Sequence, residues 1–154
     1  MTPERVFEGA SVASLCGWAG LLFGAACPMG AARRWLLAWG GRVVPLALAA
    51  GYLGMLVAHW GSAPGGHFGS LDGVATLFAS RGKLAGGWMH FLAFDLFVGR
   101  WIIDDTVGRG APRWPWLLSL PLCLLYGPAG LLVHFLTRIG REVMARGPGQ
   151  RRCG

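Results

Sequence analysis

The sequence predicts an all-α integral membrane protein, a four-helix bundle with a short amphipathic interfacial helix between spans two and three. Three observations lead there. Apolar residues make up 54% of the 154-residue chain and charged residues only 14%, against about 25% charged in ordinary soluble domains. Mostly apolar stretches recur at roughly the 20-residue length that crosses a bilayer core. The 26 glycines and eight tryptophans are the residue types that membrane helices and membrane–water interfaces favour.

The first stretch, 6–29, carries no charge after Glu8 and stops at Pro28-Met29-Gly30. Arg33 and Arg34 follow, and the Trp-bearing segment WLLAWGGR is expected to lie at the interface. A second span is predicted over 43–60, with Pro45 in its first turn, where a missing N–H costs little. A Gly-rich loop covers 61–69. Ser70 then reads as the N-cap of a helix to about Ala79, whose Leu71, Val74, Leu77 and Phe78 share one face. That helix is too short to cross and suits the membrane surface. The third span is predicted over 84–103 and the fourth over 116–136, the latter holding Pro121 and Pro128. Residues 1–140 form one membrane domain, and 141–154 read as a basic flexible tail.

The net charge of +7 is scattered over short connections and the tail, with no basic stripe, so it reads as topogenic and excludes nucleic acid as a partner. Four crossings place both termini with the 61–83 connection. On that side stand Arg5, Arg81, Lys83, Arg138, Arg141, Arg146, Arg151 and Arg152, against Arg33, Arg34, Arg42, Arg109 and Arg113. The expected location is a bacterial inner membrane with cytoplasmic termini. The N-terminus lacks the marks of a secretory signal or transit peptide. Cys16, Cys27, Cys123 and Cys153 show no metal-ligand spacing, and no nucleophile elbow, zinc-protease helix or P-loop is present.

The chemistry-bearing stretch is WMHFLAFDLFVGRWIIDD, Trp88 to Asp105. A carboxylate at mid-bilayer is costly and usually faces a bundle interior or a functional cavity. At about 100° per residue, His90, Arg100 and Asp104 share one sector of the helix and Asp95 points the other way. Asp95 therefore needs a partner from another helix, and depth along the spans nominates Tyr126. The same depth count places all four histidines toward the tail side. The bland alternatives are an interhelical hydrogen bond for Asp95, and an Arg100 that snorkels outward with Asp104 as its partner one turn on.

These residues carry a resemblance. The order of GSLDGVATLFAS, then Trp88, His90, Asp95, Leu96, Phe97, Arg100 and Asp105 at fixed offsets, then LCLLYGPAG and HFLTR is similar to the abscisic-acid-deficient-four-like family, whose plant members are associated with neoxanthin synthesis. It covers about residues 68–140, and Tyr126-Gly127 stand where plant members show Phe-Cys. The resemblance implies a cofactor-free isomerisation of a carotenoid epoxide to an allene within the bilayer. Asp95, His90, His134 and Tyr126 are then the acid–base candidates, and Trp88, Phe91, Arg100 and Asp105 the substrate-binding ones. The partners expected are the lipid bilayer and a hydrophobic carotenoid-like substrate, with an oligomer compatible. Two other readings stay open: a haem or metal electron-transfer protein ligated by His90 and His134, and a non-catalytic carotenoid-binding scaffold.

Overall fold

The computed structural model describes residues 2–112 and 114–145, and among them the chain forms six helices and no strand. Helix α1 spans Pro3–Ala26 and α2 spans Ala31–Ala58. At 1.5 Å per residue these are roughly 36 and 42 Å long, and both are apolar enough to cross a membrane. The short helix α3 spans Leu71–Ala79, and the Ser70 side chain accepts a hydrogen bond from the Gly73 N–H at 3.1 Å, the capping role its sequence predicts. Helix α4 spans Arg81–Gly108, α5 Trp116–Tyr126 and α6 Pro128–Ala145.

The segment at 31–42, expected to lie apart at the interface, is instead the first part of α2. A single π turn over Trp39–Val43 carries the helix through, with the Val44 N–H bonded to the Trp39 carbonyl. The physical reason is Pro45, which has no N–H for the carbonyl four residues back and whose ring would strike it. The wider turn just before the proline absorbs that conflict. The bulge also presents two glycines to neighbours. Gly40 lies against the Gly17 carbonyl of α1, and a β-carbon at 41 would stand 2.6 Å from the Arg100 β-carbon of α4.

The stretch 116–136, expected as one span, folds as an antiparallel hairpin. Helix α5 ends at Tyr126, the chain reverses at Gly127 with φ +31°, and α6 runs back along α5. The return is tight: a β-carbon at 130 would fall among the Cys123 and Ser119 backbone atoms. Two contacts on α4 show the direction. Cys123 Sγ meets the Asp95 carbonyl at 3.5 Å, whereas His134 Nε2 meets Asp105 Oδ2 at 3.1 Å. A chain continuing past 126 would have carried His134 the other way along α4. The sequence places Pro128 inside a span over 116–136; in the reversal both polar backbone groups of Gly127 stay paired. Its N–H donates to the Cys123 carbonyl at 2.9 Å, and its carbonyl accepts from the Gly130 N–H at 3.1 Å.

The hairpin changes the layout of the ends. Pro3 lies at the Arg81 end of α4, where Glu4 pairs with Arg81. Helix α6 finishes at the opposite end, where Glu142 meets Arg109. The two termini of the described chain thus lie at opposite ends of the bundle, not at one end as four crossings require. The basic tail expected from 141 begins as the last turns of α6, and beyond 145 it lies outside the described residues.

Helix α4 is the centre of the packing. Leu96 sits over Gly17 and Trp18 over Gly99, interlocking α1 with α4, while Leu96, Ile102, Ile103 and Cys123 are fully enclosed. The outer faces are apolar: Leu15, Phe23, Leu46, Leu53, Val57, Phe94, Phe97, Leu132 and Ile139 are all exposed. Water-soluble monomers rarely show apolar surface on that scale. In lipid such a face is at ease, and close packing of small residues, rather than transfer from water, holds helices together.

Candidate functional site

A cavity of about 670 Å³ opens where the second half of α2, the 61–69 loop, α3 and the start of α4 converge. That is within the range of small-molecule sites. Its wall is mostly apolar and aromatic. Tyr52 and Leu56 project from successive turns of α2, Trp60 from the turn just past its end, Phe68 from the loop, Leu77 and Phe78 from α3, and Lys83, His90 and Phe91 from α4. Its ionisable side chains include Lys83 and His90, and His90 is the one set among aromatic rings. Its ring lies 5.5 Å from that of Tyr52 and 4.7 Å from that of Phe94. From His90 an aromatic row of Phe94, Phe97 and Trp101 continues along one face of α4, at the 3- and 4-residue steps that keep side chains in line. Phe94 and Phe97 are exposed.

The other residues singled out in the sequence are dispersed. Phe91 shares the cavity with His90. Trp88 faces α1, where its indole N–H donates to Ser11 Oγ at 3.0 Å and its ring lies 5.3 Å from Phe7. Asp95 points away from His90, as the helical wheel requires, and its carboxylate fills the space a side chain at Gly127 would take. Tyr126, its expected partner, is 68% exposed. The carboxylate instead stands at the start of α6, where the helix dipole favours negative charge. Arg100 pairs with Asp104 at 2.8 Å, one turn on.

His134 is not on the side of His59, His67 and His90, as depth along a straight span predicted; the hairpin returns it to Asp105. His90 and Asp105 lie 15 positions apart on α4, roughly 22 Å along the axis, so His90 and His134 of one chain cannot ligate one haem or metal. Among the described residues no group of three or more His, Cys, Asp or Glu side chains converges as a metal site.

Asp105, largely covered, and the buried His134 form a pair beneath two guanidinium groups. Asp105 Oδ1 accepts from Arg109 Nε at 2.9 Å, and Arg138 stands 3.8 Å away. Burial works to raise the Asp105 pKa, but the hydrogen bonds from Arg109 and His134 and the charges of Arg109 and Arg138 outweigh it, so the carboxyl is held below its ordinary value. A depressed folded pKa stabilises the fold above the unfolded value of about 3.9, and that contribution is lost as pH falls through the folded pKa. The docking of α6 on α4 is therefore expected to weaken below about pH 4. Thermal midpoints of wild type and Asp105→Asn, compared from neutral pH downward, measure this. The wild type should show the steeper acid-side fall, and matching slopes would remove Asp105 as the cause.

Compared with known protein families, residues 5–134 match the one described as ABA DEFICIENT 4-like. The chain belongs to the ABA DEFICIENT 4-like family. It is 37% identical over 68 residues to Protein ABA DEFICIENT 4, chloroplastic, of Arabidopsis thaliana. That match covers 44% of this chain and 30% of the plant protein. No solved structure matches the chain.

In this ABA DEFICIENT 4-like protein the largest part of the cavity wall was not singled out in the sequence. Tyr52 and Leu56, four residues apart, share one face of α2, a pattern that was legible, and Trp60 follows just past the helix end. Lys83, Gly87, His90 and Phe91 likewise share a face of α4. The contributions of Phe68, Leu77 and Phe78 depend on how the loop and α3 fold back, which no local pattern specifies.

Proposed function

We propose that this ABA DEFICIENT 4-like protein is a membrane-embedded, cofactor-free isomerase of a long apolar carotenoid-like molecule, acting on an oxygenated end group held beside His90. One observation carries the reading: an imidazole set among aromatic rings in the wall of a mostly apolar cavity whose other basic side chain is Lys83, continued by the exposed rings of Phe94 and Phe97. A cavity of this size takes the end group and not a whole carotenoid, so the polyene lies along Phe94 and Phe97 in contact with lipid. The family membership supports the substrate class.

The chemistry is mass-neutral. A base takes a proton from the carbon beside an epoxide, the electron pair forms the new double bond, and the C–O bond breaks toward oxygen. That oxygen receives a proton. His90 is the base and the Tyr52 hydroxyl the proton donor, and transfer from the imidazolium back to the phenolate restores both groups. Phe91 orients the ring. Acid–base groups contribute about 100- to 10,000-fold in such steps.

Expression in a carotenoid-producing host tests this, with pigments separated by chromatography and weighed. Wild type should yield an isobaric new pigment, His90→Ala should lower its yield at least about 100-fold, and Phe91→Leu should leave most of it. Inserted wild type that binds pigment without changing it would make the protein a carotenoid-binding scaffold and end the isomerase reading.

We further propose that α1, α2 and α4 cross the membrane and that the α5–α6 hairpin enters it from one side and leaves by the same side. Helix α5, at 11 residues, is roughly 16 Å long, about half the bilayer core. A chain reversal at that depth is tolerable because Gly127 is buried against α4 and not against lipid.

A further inference from the structure

We propose that the arginine-lined groove between the α1–α2 turn and the end of α4 is a binding site for the phosphate of an anionic membrane lipid. The groove is about 530 Å³ and its lining carries four guanidinium groups, Arg33, Arg34, Arg42 and Arg100, against one carboxylate, Asp104. Two of the four are already committed. Arg33 is buried and donates to the Ala25 and Cys27 carbonyls, both at 3.3 Å, closing the end of α1. Arg100 holds Asp104. Arg34 and Arg42 have no carboxylate partner among the described residues, and both are exposed at the groove.

Their placement argues for a ligand with both charge and an apolar stem. Arg42 stands on the π turn, eleven positions into an apolar helix, so its guanidinium is flanked by lipid and reaches outward to the headgroup level. Leu37 and Val107 supply an apolar floor beside the charges. A phosphodiester offers oxygens to two guanidinium groups at once, while its acyl chains lie on the apolar faces of α1 and α2. The site is remote from the His90 cavity, at the other end of α4, and does not depend on the proposed isomerase activity. The hairpin adds to its surroundings, because it brings Arg109, Arg138 and Arg141 to this same end.

The test uses the full chain in phosphatidylcholine nanodiscs containing a minor share of phosphatidylglycerol, with retained lipid counted by native mass spectrometry. Wild type should retain phosphatidylglycerol over phosphatidylcholine. Arg34→Gln/Arg42→Gln should lose on the order of thirtyfold in apparent affinity, since each arginine near a charged headgroup is worth about a factor of five. Arg141→Gln removes one charge at the same end and should change retention less than about twofold. Helical circular dichroism confirms that each variant is folded, and Arg42→Lys, which keeps charge, should retain most of the binding. Equal retention by the double variant overturns the site. So does a loss in Arg141→Gln as large as in Arg42→Gln, which would mean diffuse attraction. Full displacement of phosphatidylglycerol by millimolar inorganic phosphate would overturn the lipid as the ligand.

Discussion

Gly127→Ala is expected to lower the thermal midpoint of the purified protein steeply and to release the α5–α6 hairpin from α4. Two penalties coincide at this residue. Its φ of +31° is a region that L side chains rarely adopt, and forcing a non-glycine residue into such a conformation costs about 1–3 kcal/mol. In addition, the new methyl group would fall on the Asp95 carboxylate, so that either the reversal or the α4 contact must open. Together these come to about 3 kcal/mol or more, a large part of the stability of a domain this size. Relief should be partial and coupled. In Gly127→Ala/Asp95→Ala the collision is gone and only the backbone penalty remains, so the double variant should melt above the sum of the single effects. A Gly127→Ala protein that melts with wild type would show that the chain does not reverse at this residue.

The second large effect is topological and all-or-none. With three crossings and a hairpin, a reporter after α6 and a reporter in the 61–69 loop must read opposite sides of the membrane; with four crossings they must read the same side. In a bacterial host, a fluorescent protein fused after the tail is expected to fluoresce, and alkaline phosphatase inserted near Gly65 is expected to be active. The charge distribution sets which side is which. Among described residues outside the α4 interior, the Arg81 end carries Arg5, Arg81 and Lys83, and the other end Arg33, Arg34, Arg42, Arg109, Arg138 and Arg141. Three against six favours the α6 end as cytoplasmic. This reverses the sequence-based expectation for the N-terminus, although the residues counted are largely the same. What changes is that Arg138 and Arg141 move from one group to the other when the fourth stretch folds back. Fluorescence from the C-terminal fusion together with an inactive loop phosphatase would restore four crossings.

Much of the molecule was legible in the chain. The positions of α1 and α4, the Ser70-capped α3, the Arg100–Asp104 pair and the opposed faces of His90 and Asp95 follow from periodicity and from i, i+4 geometry, which are local. The errors came from breakers. Gly40-Gly41 with Pro45 looked like the end of a segment, yet a π turn passed through them. Pro128 was expected inside one span over 116–136, yet the chain reverses at Gly127. Breaker residues state that regular helix is interrupted and are silent on the direction in which the chain leaves.

The resemblance read from Trp88 to Asp105 and the LCLLYGPAG run led to the family shown by the match over residues 5–134. It did not specify a shared site. Of its candidate residues, the structure places His90 and Phe91 together in the aromatic cavity, Asp105 with His134 at the far end of α4, and Asp95 at the hairpin tip.

Composition and apolar run length by themselves determined an all-α protein with helices able to cross a membrane, because a backbone in lipid must satisfy its own hydrogen bonds. They also determined which residues share a face of α4, because helical pitch is fixed. The path of residues 116–145 was decided only by tertiary structure. Gly127, at φ +31°, turns the chain with Asp95, far away in sequence, standing where a side chain would be, and His134 then meets Asp105 among its arginines. Such non-local contacts carry no period along the chain, and here they move the C-terminal helix from one end of the bundle to the other.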